Sequence, residues 1–523
     1  MAAGTVDLAT INTALNRSLH WKFRLGLFDD PATQEYARLG LESINTTAAQ
    51  QLVQEAAAQG LVLLRNSDSL LPLKGTKVAV VGSHALATRD LLSDYYGDEV
   101  CFGAPTGSPK TADGCIATIG GSVAAANARH GGETRVVPGV GVTQASNTSA
   151  AALEAVGWAE VVVLTVGLSH GLEHEGMDRR DTELPAPQLD FALRVLAAGK
   201  PVVLLMVNGG ILSIDDLLHP PPEVFEGNCS ASGAYEHGVD LRNTVNQTWG
   251  SMGKAGSVEA CCAMCARRTS PSACRYFTYA TDTTICYLKA SNAGRRKATQ
   301  NLISGSCVRG TNASAPAAII EMFYPNQAAA AAIGPALWGE TNRFGKLPVT
   351  IYPKQYGSSI RIQQMDMRAN PPAGYPGRGY RYYTGAPLYA AFEGLSYTTF
   401  ETTCKEQQQQ AAAAEAVANR TLTLSCIVKN TGTRDGDAVL LLFHIPPQAA
   451  GAGEEALQRQ RPIRRLLDFH RVTVLAGGSS EPHGFVVEVP RQLLLLDEGG
   501  GAVEVPGVHV LEVQDGPRFE VTL

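Results

Sequence analysis

Hydrophobic residues at the start of the chain recur at the spacing of an α-helix. Leu8, Ile11, Leu15 and Leu19 lie three or four residues apart, which predicts an amphipathic helix that ends near Gly26. A lone helix at a chain start has no partner of its own for its apolar face. We therefore expect it to pack either on sequence upstream of the first residue or on the domain that follows.

From about residue 50 the pattern changes to an alternation of helical segments and short, continuous apolar runs. The predicted strands cover residues 77–81, 160–166, 201–207 and 317–323, with a further short strand at the end of 56–64. The predicted helices cover 187–198 and 327–338. Continuous apolar strands separated by helices indicate an α/β sandwich with a largely parallel sheet covered on both faces.

The alternation stops between residues 214 and 317, where Gly, Asn, Ser and Cys replace the apolar runs. Seven of the 11 cysteines fall here: Cys229, Cys261, Cys262, Cys265, Cys274, Cys286 and Cys307. This density is typical of a small disulfide-stapled insert made in an oxidising compartment. Zinc is the alternative, but His237 is the only histidine between Cys229 and Cys307, so we favour disulfides over metal. An odd number of cysteines leaves one thiol free or the pairing mixed.

Beyond about residue 399 the apolar runs are separated by turn-rich gaps. Strands are predicted at 422–429, 438–444, 469–475 and 485–489. Short strands at this spacing are typical of a β-sandwich, whose expected role is to brace the sheet domain. Residues 407–414 and the stretch around 451 are low in complexity and are expected to be loops.

Composition excludes several classes of function. With 523 residues the chain exceeds the size of a single hydrophobic core, so two to four domains are expected. A net charge of −6 and a pI near 6.0 provide no basic field for nucleic acid or anionic lipid. No apolar run approaches the ~18 residues of a membrane span. We expect no nucleic-acid partner, no membrane span, no metal and no cofactor.

The cysteines indicate export from the cell. Seven Asn-X-Ser/Thr sequons give weaker support in the same direction, and they begin at Asn16, Asn45, Asn147, Asn228, Asn246, Asn312 and Asn419. The first 30 residues nevertheless contain no secretory signal. We expect a secreted, extracellular or cell-wall protein whose signal peptide lies upstream of Met1.

An acidic loop at residues 173–181 follows the predicted strand at 160–166. Ligands of parallel sheets bind at the carboxyl ends of the strands, and this loop leaves from such an end. Glu173 and Glu175 are candidate proton donors, and one of them must hold a proton near neutral pH to act as an acid. The structural alternative is that Asp178, Arg179 and Asp181 pair with one another and hold the turn.

Three cysteine-containing runs give the insert a recognisable framework: EACCAMC at 259–265, CRYFTY at 274–279 and CYLK at 286–289. With Cys229 and Cys307 as the closing cysteines, the insert resembles the PAN/apple family of extracellular binding modules. The resemblance implies a protein or glycan ligand for the insert, and a purely structural role stays open.

A larger set of motifs is spread over the rest of the chain: GLVLLRN at 60–66, LLPL at 70–73, VAVVG at 78–82, DYYG at 94–97, EGMDR at 175–179, GKLPVTIYP at 345–353, GYPGR at 374–378, YRYYTG at 380–385 and GLSYT at 394–398. Together they resemble glycoside hydrolase family 3, in its β-xylosidase/β-glucosidase-like branch. The resemblance implies five parts: 1–45 as the end of an N-terminal barrel that is otherwise absent, 46–222 and 313–398 as the C-terminal α/β domain, 223–312 as the PAN/apple-like insert, and 399–523 as a fibronectin type III-like domain.

The resemblance also implies a chemistry for the acidic loop. The family hydrolyses O-glycosyl bonds with retention, and we expect an exo-acting β-xylosidase or β-glucosidase type acting on xylo- or gluco-oligosaccharides of cell-wall-like polysaccharides. Its nucleophile is an aspartate on the barrel with no counterpart here, while its acid/base is a glutamate on this loop. We prefer Glu175 to Glu173 for that role and assign Asp178, Arg179 and His174 to substrate binding. The chain alone is then expected to be inactive, and the alternative is a noncatalytic secreted carbohydrate- or protein-binding protein derived from a glycosidase.

Overall fold

The computed structural model describes residues 6–92, 115–220, 235–237, 239–242, 258, 261, 276–289, 294–297, 301–306, 313–361, 363–407, 420–447, 461–489, 491–496 and 500–523. The α-helices of these ranges are α1 (Leu8–Arg24), α2 (Thr47–Gly60), α3 (Ile119–Arg129), α4 (Ser149–Trp158), α5 (Ala186–Leu196), α6 (Asp215–Leu218), α7 (Ala329–Leu337), α8 (Lys354–Ser359) and α9 (Gly379–Tyr382).

The strands before the last third of the chain are β1 (Val62–Asn66), β2 (Lys77–Gly82), β3 (Glu133–Val136), β4 (Val161–Gly167), β5 (Val202–Val207), β6 (Tyr235–His237), β7 (Val239–Arg242), β8 (Tyr276–Ala280), β9 (Ile285–Lys289), β10 (Gly294–Lys297), β11 (Leu302–Ser306) and β12 (Ala318–Glu321). The remaining strands are β13 (Phe400–Gln407), β14 (Arg420–Asn430), β15 (Gly436–Ile445), β16 (Arg465–Val474), β17 (His483–Val489), β18 (Leu495–Leu496), β19 (Ala502–Val503), β20 (Val508–Val513) and β21 (Arg518–Thr522).

A six-stranded sheet with the order β1-β12-β5-β4-β2-β3 forms the centre of the α/β domain. Its neighbours run parallel except for β1 and β12, which are antiparallel. Strands β4 and β5 are buried at every position, because helices cover both faces of the sheet. The prediction of a largely parallel α/β sheet is confirmed, and the predicted strands at 77–81, 160–166, 201–207 and 317–323 each match a strand.

The two faces of the sheet have separate apolar cores. One core joins the sheet to α3 and α7 through residues such as Val123 and Ile333. The other joins it to α4 and α5 through residues such as Val156 and Phe191. Helix α3 and the direction of β1 were not predicted, since neither follows from local periodicity.

Helix α1 follows its predicted range closely. Asp7 caps its first turn by accepting a hydrogen bond from the Thr10 N–H at 2.6 Å. None of its residues is buried, and Trp21, Phe23 and Leu25 are each more than half exposed. The described ranges therefore contain no partner that covers its apolar face.

The insert contributes two small sheets, β10-β7 and β6-β11-β8-β9, which the irregular composition did not predict. Cys261 forms a disulfide with Cys286 of β9, and both residues were among the predicted disulfide cysteines. The other predicted disulfide cysteines, Cys229, Cys262, Cys265, Cys274 and Cys307, lie outside the described residues. Because β12 pairs directly with β5, the insert is spliced between two adjacent strands of the α/β sheet.

A three-stranded sheet, β13-β14-β17, packs on a four-stranded sheet, β16-β15-β20-β21, at the end of the chain. The core between them contains Leu424, Leu442 and Phe485. The predicted β-sandwich is therefore present. A second disulfide joins Cys404 to Cys426, directly opposite residues of β13 and β14, and this pair was missed because the cysteines lie outside the cysteine-rich insert.

Among the helices of the described chain, none combines the length and the apolar character that crossing a bilayer requires.

Candidate active site

The acidic loop begins where β4 leaves the sheet. Gln188, which is fully buried on α5, accepts a hydrogen bond from the Gly167 N–H at 2.8 Å and donates one to the Gly167 carbonyl at 2.7 Å. His84, also fully buried, contacts the next carbonyl, that of Leu168, through Nε2 at 2.7 Å. These two side chains replace the sheet partners that the departing strand loses, so they fix the point from which the loop extends.

Glu175 lies at the tip of a tight turn. The Met177 N–H donates to the His174 carbonyl at 2.9 Å, which leaves Glu175 and Gly176 as the two central residues. Gly176 has φ of +84°, a value typical of the third position of a type II turn and one that favours glycine. The Glu175 side chain is exposed. Local sequence thus presents this carboxyl at an exposed turn of the loop.

Glu173 lies two residues away and has a different environment. Its Oε1 accepts hydrogen bonds from the Gly209 N–H at 2.8 Å, the Gly210 N–H at 3.0 Å and the Tyr324 hydroxyl at 2.8 Å. Its Oε2 accepts from the Arg179 Nε at 3.2 Å. Only 15% of the side chain is exposed. Four donors are directed at this one carboxyl group, so Glu173 anchors the loop.

The Gly209-Gly210 pair makes this anchor possible. A Cβ at Gly209 would lie 2.6 Å from the Tyr324 ring, and a Cβ at Gly210 would lie 2.8 Å from Glu173 Oε2. Both residues follow β5, whereas Tyr324 follows β12. The anchor therefore joins three neighbouring strand ends of the sheet.

Arg179 connects the other side of the loop. Its guanidinium donates to Glu173 and, through Nη2, to the Ile211 carbonyl at 2.5 Å, while its Nη1 is buried without a partner in the described chain. The alternative in which Arg179 pairs with Asp178 or Asp181 is wrong, because its carboxylate partner is Glu173. Asp181 Oδ1 instead accepts from the Glu183 N–H at 3.1 Å.

A second buried carboxyl lies beside the anchor. Glu321, at the end of β12, is 1% exposed and accepts a hydrogen bond from the Phe323 N–H at 2.8 Å. Burial raises its pKa to about 8, more than its hydrogen bonds from Phe323 and Asn208 lower it. Asn208 donates to the Gly210 carbonyl at 3.1 Å and has a buried Oδ1 without a partner.

The remaining predicted site residues line the outer side of the loop. His174 contacts the Glu175 carbonyl through Nδ1 at 2.6 Å and stacks on His170 with ring centroids 4.9 Å apart. Asp178 is exposed. The side chains of Glu175 and Asp178 are thus exposed and that of His174 is partly exposed. Those of Glu173 and Arg179 are largely buried.

Sequence reasoning missed five residues that hold the loop: Gln188, Asn208, Gly209, Gly210 and Tyr324. A usable signal was present, since Asn208-Gly209-Gly210 directly follows a buried strand and strand ends converge at one edge of a parallel sheet. No group of three or more His, Cys, Asp or Glu side chains suited to a metal ion occurs within the described ranges.

Two family models match the chain. Residues 61–223 match the glycosyl hydrolase family 3 C-terminal domain, and residues 237–312 match the PAN domain.

Curated relatives with similar sequences are plant enzymes and their fungal counterparts. Beta-D-xylosidase 3 of Arabidopsis thaliana is 27% identical over 544 residues, which cover 98% of this chain and 54% of the relative. Beta-xylosidase/alpha-L-arabinofuranosidase 2 of Medicago sativa subsp. varia is 27% identical with the same two coverages. The chain thus spans about half the length of the curated relatives it matches.

Solved structures show the same fold. A GH3 exo-beta-xylosidase in complex with a xylobiose aziridine probe matches with a TM-score of 0.61 and 22% identity, over 92% of this chain and 49% of that one. A beta-glucosidase from Listeria innocua in complex with isofagomine matches with a TM-score of 0.60 and 19% identity, over 100% of this chain and 56% of that one. Over residues 61–223 the chain is therefore similar to the glycosyl hydrolase family 3 C-terminal domain, and the segment that matches the PAN domain lies between two strands of its sheet.

Proposed function

We propose that this chain supplies the acid/base half of a retaining, exo-acting glycoside hydrolase of β-xylosidase or β-glucosidase type, with Glu175 as the proton donor. The observation that supports this assignment is the contrast between the two loop glutamates. Both carboxyl oxygens of Glu173 accept hydrogen bonds from the protein. Glu175 is exposed at the tip of a turn, and the hydrogen bonds of Glu173 hold the loop that contains this turn in place.

A general acid must carry a proton and reach the departing oxygen. Both oxygens of Glu173 accept hydrogen bonds from the protein, so this residue is poorly placed to reach the departing oxygen. In the proposed reaction the Glu175 carboxyl gives its proton to the glycosidic oxygen as the bond from C1 to that oxygen breaks. A second carboxylate forms the new bond to C1. Water then attacks C1 and displaces that second carboxylate, while the Glu175 carboxylate accepts the proton from the water.

The second carboxylate is proposed to belong to the half of the relatives that this chain does not span. Retention requires the two carboxyl groups to lie about 5 Å apart. Xylo- or gluco-oligosaccharides are the proposed substrates, in line with the names of the relatives. His174, Asp178 and Arg179 are proposed to position the sugar, the last indirectly because its guanidinium is bound to Glu173.

The remaining parts of the chain fit a secreted enzyme. The disulfides Cys261–Cys286 and Cys404–Cys426 support an oxidising compartment. We propose that residues 46–222 and 313–398 form the catalytic α/β domain and that 399–523 form a fibronectin type III-like domain that braces it.

The first test is the purified chain with p-nitrophenyl β-xyloside and p-nitrophenyl β-glucoside. We expect no turnover, because one carboxyl group cannot complete the double displacement. Turnover by the chain alone would contradict the assignment of the nucleophile to another segment.

The second test joins the chain to the remaining half of the Arabidopsis relative. Glu175→Gln should then lower the rate of xyloside hydrolysis by about 10²- to 10⁴-fold, the usual contribution of a general acid, without lowering the melting temperature. Glu173→Gln is the matched variant and should mainly lower the melting temperature, because it removes a buried anchor. Full activity of Glu175→Gln would overturn the assignment.

A noncatalytic binding role is a second candidate, favoured by the PAN match at residues 237–312. It predicts that the chain binds a glycan or a protein with equal affinity in its wild-type and Glu175→Gln forms. Screening immobilised oligosaccharides and extracellular proteins with both forms would distinguish the two functions.

A further inference from the structure

A pocket of about 430 Å³ lies beside the acidic loop, with Arg179 in its wall. Its walls come from the 179–182 segment, residues 348–352, helix α8 with the residues just after it, and the start of α9. This volume is within the range of ligand sites of roughly 300–1,000 Å³. No residue with a proposed catalytic role in proton transfer lines it.

The charged groups that line the pocket are mainly arginines. Arg179, Arg180, Arg361 and Arg378 face one carboxylate, Asp181. Arg179 is paired with Glu173, and Arg378 donates through Nη2 to the Gln364 carbonyl at 2.7 Å. Arg180 and Arg361 are exposed and make no ion pair within the described chain. The pocket therefore carries excess positive charge in a form suited to a carboxylate.

The tyrosines of the pocket offer ring surface rather than hydroxyl groups. The Tyr352 hydroxyl accepts from the Gly379 N–H at 2.6 Å, and the Tyr356 hydroxyl donates to the Gly377 carbonyl at 3.1 Å. The Tyr380 hydroxyl accepts from the Leu466 N–H at 3.2 Å. The rings of Tyr352 and Tyr356 stack with centroids 4.1 Å apart, which fixes their orientation.

Hydrogen-bond acceptors are scarce in the same pocket. Thr182 Oγ1 is engaged with Ser213 Oγ at 2.7 Å, and Asp181 Oδ1 already accepts from the Glu183 N–H. The charged side chains of the pocket are mainly guanidinium groups, which donate hydrogen bonds and accept none. An apolar or aromatic face with one anionic group satisfies both the tyrosine walls and the arginines.

We propose that this pocket binds a small aromatic carboxylate. The carboxylate lies against the guanidinium groups of Arg180 and Arg361, and the ring packs on the side of the pocket formed by Tyr352, Tyr356 and Ile360. Arg179 lines the pocket and also holds Glu173, so the bound ligand lies against the acidic loop, whereas Glu175 does not line the pocket.

Isothermal titration of the full chain with 4-hydroxycinnamate and benzoate tests the proposal, with benzamide as the uncharged analogue and glucuronate and xylose as the sugar probes. We expect both aromatic carboxylates to bind, 4-hydroxycinnamate more tightly, and added salt to weaken both. Benzamide, glucuronate and xylose should bind at least tenfold more weakly, which corresponds to about 1.4 kcal/mol of binding free energy.

The double variant Arg180→Gln/Arg361→Met should weaken binding of 4-hydroxycinnamate by about tenfold or more, because it removes charge-assisted hydrogen bonds. Both side chains are exposed, so folding should be unaffected. Arg491→Gln, an equally exposed arginine on the β-sandwich, is the matched control and should bind as the wild type.

The Glu175→Gln variant should bind 4-hydroxycinnamate with the same affinity as the wild type. This result distinguishes the pocket from the proposed acid/base site. Preferential binding of glucuronate or xylose, or unchanged binding in the double arginine variant, would overturn the proposal.

Discussion

Glu321 shows how the position of one residue at a strand end changes its protonation. Glu321 ends β12, the strand between β5 and β1, and burial of its carboxyl raises the pKa from 4.5 to about 8. The unfolded chain releases this proton near pH 4.5. The contribution of protonated Glu321 to stability is therefore complete below pH 4.5 and is lost as the pH rises to about 8.

Glu321→Gln should abolish this dependence, because the amide is neutral at every pH. We expect the variant to melt several degrees above the wild type at pH 8 and at nearly the same temperature at pH 5. Calorimetric scans at both pH values measure the difference, with the exposed Glu406→Gln as control. A lower melting temperature than wild type at pH 8 would show that the native carboxyl is ionised.

Glu173 and Glu175 illustrate a second effect at the same scale. The residues share a charge and a loop, and only their partners separate them: four donors converge on Glu173, while Glu175 occupies the turn position before a glycine with positive φ. The spacing of the two glutamates in sequence gives no hint of this division.

At the scale of elements, the adjacent strands β15 and β20 bring two histidines together in the β-sandwich. His444 and His509 are both fully buried, and their rings are joined by a contact of 2.8 Å between His444 Nε2 and His509 Nδ1. His509 Nε2 contacts the Val505 carbonyl at 2.8 Å, so it carries the proton, and His444 Nε2–H is then the donor to His509 Nδ1. Burial, together with His509 and Arg465, lowers the pKa of His444 to about 3.

Acidification should therefore destabilise the β-sandwich. The unfolded chain takes up protons on these histidines below pH about 6.5. In the folded sandwich the pKa of His444 is about 3 and burial lowers the pKa of His509 as well, so stability falls as the pH drops below about 6.5. His444→Leu/His509→Leu should flatten the dependence, because leucine does not titrate. Urea unfolding between pH 7 and pH 4 measures it, with the exposed His219→Leu as control; parallel wild-type and double-variant curves would contradict the expectation.

At the scale of the whole molecule, Asp437 joins the α/β domain to the β-sandwich. This carboxylate on β15 accepts from Arg343 Nε and Arg471 Nη1, both at 3.0 Å, and its side chain is 1% exposed. Arg343 also pairs with Glu55 of α2 at 3.1 Å. Burial alone would raise the pKa of Asp437, but hydrogen bonds from Thr473, Arg343 and Arg471 lower it, so the ionised form is the stable one.

Asp437→Asn should weaken the contact between the two domains, because it leaves two arginines facing a neutral amide. The loss from breaking a buried ion pair is about 3–5 kcal/mol. We expect the calorimetric transition to shift down and to separate into two, one for each domain. The exposed Asp190→Asn is the control, and a single unshifted transition in Asp437→Asn would show that the junction does not couple the domains.

Local periodicity was sufficient to predict the strands that are buried on both faces of the sheet. Strands β2, β4, β5 and β12 are continuous apolar runs because both faces of their sheet are covered, and such runs are visible without a structure. The small sheets of the insert were not predicted, since their strands are short and rich in polar residues. The disulfide Cys404–Cys426 was missed for a related reason, because only strand register places these cysteines opposite each other.

The sequence by itself determined the α/β class, the position of the acidic loop at a strand end and the presence of a cysteine-rich insert, because each is written in local composition and spacing. Tertiary structure alone decided which glutamate anchors the loop, since the donors to Glu173 come from Gly209, Gly210 and Tyr324, far apart along the chain. The arginine-lined pocket was also decided by tertiary structure, because its walls are assembled from segments that are far apart along the chain, from Arg179 to Ala391. Contacts between distant segments depend on how strands are ordered in the sheet, and no local pattern specifies that order.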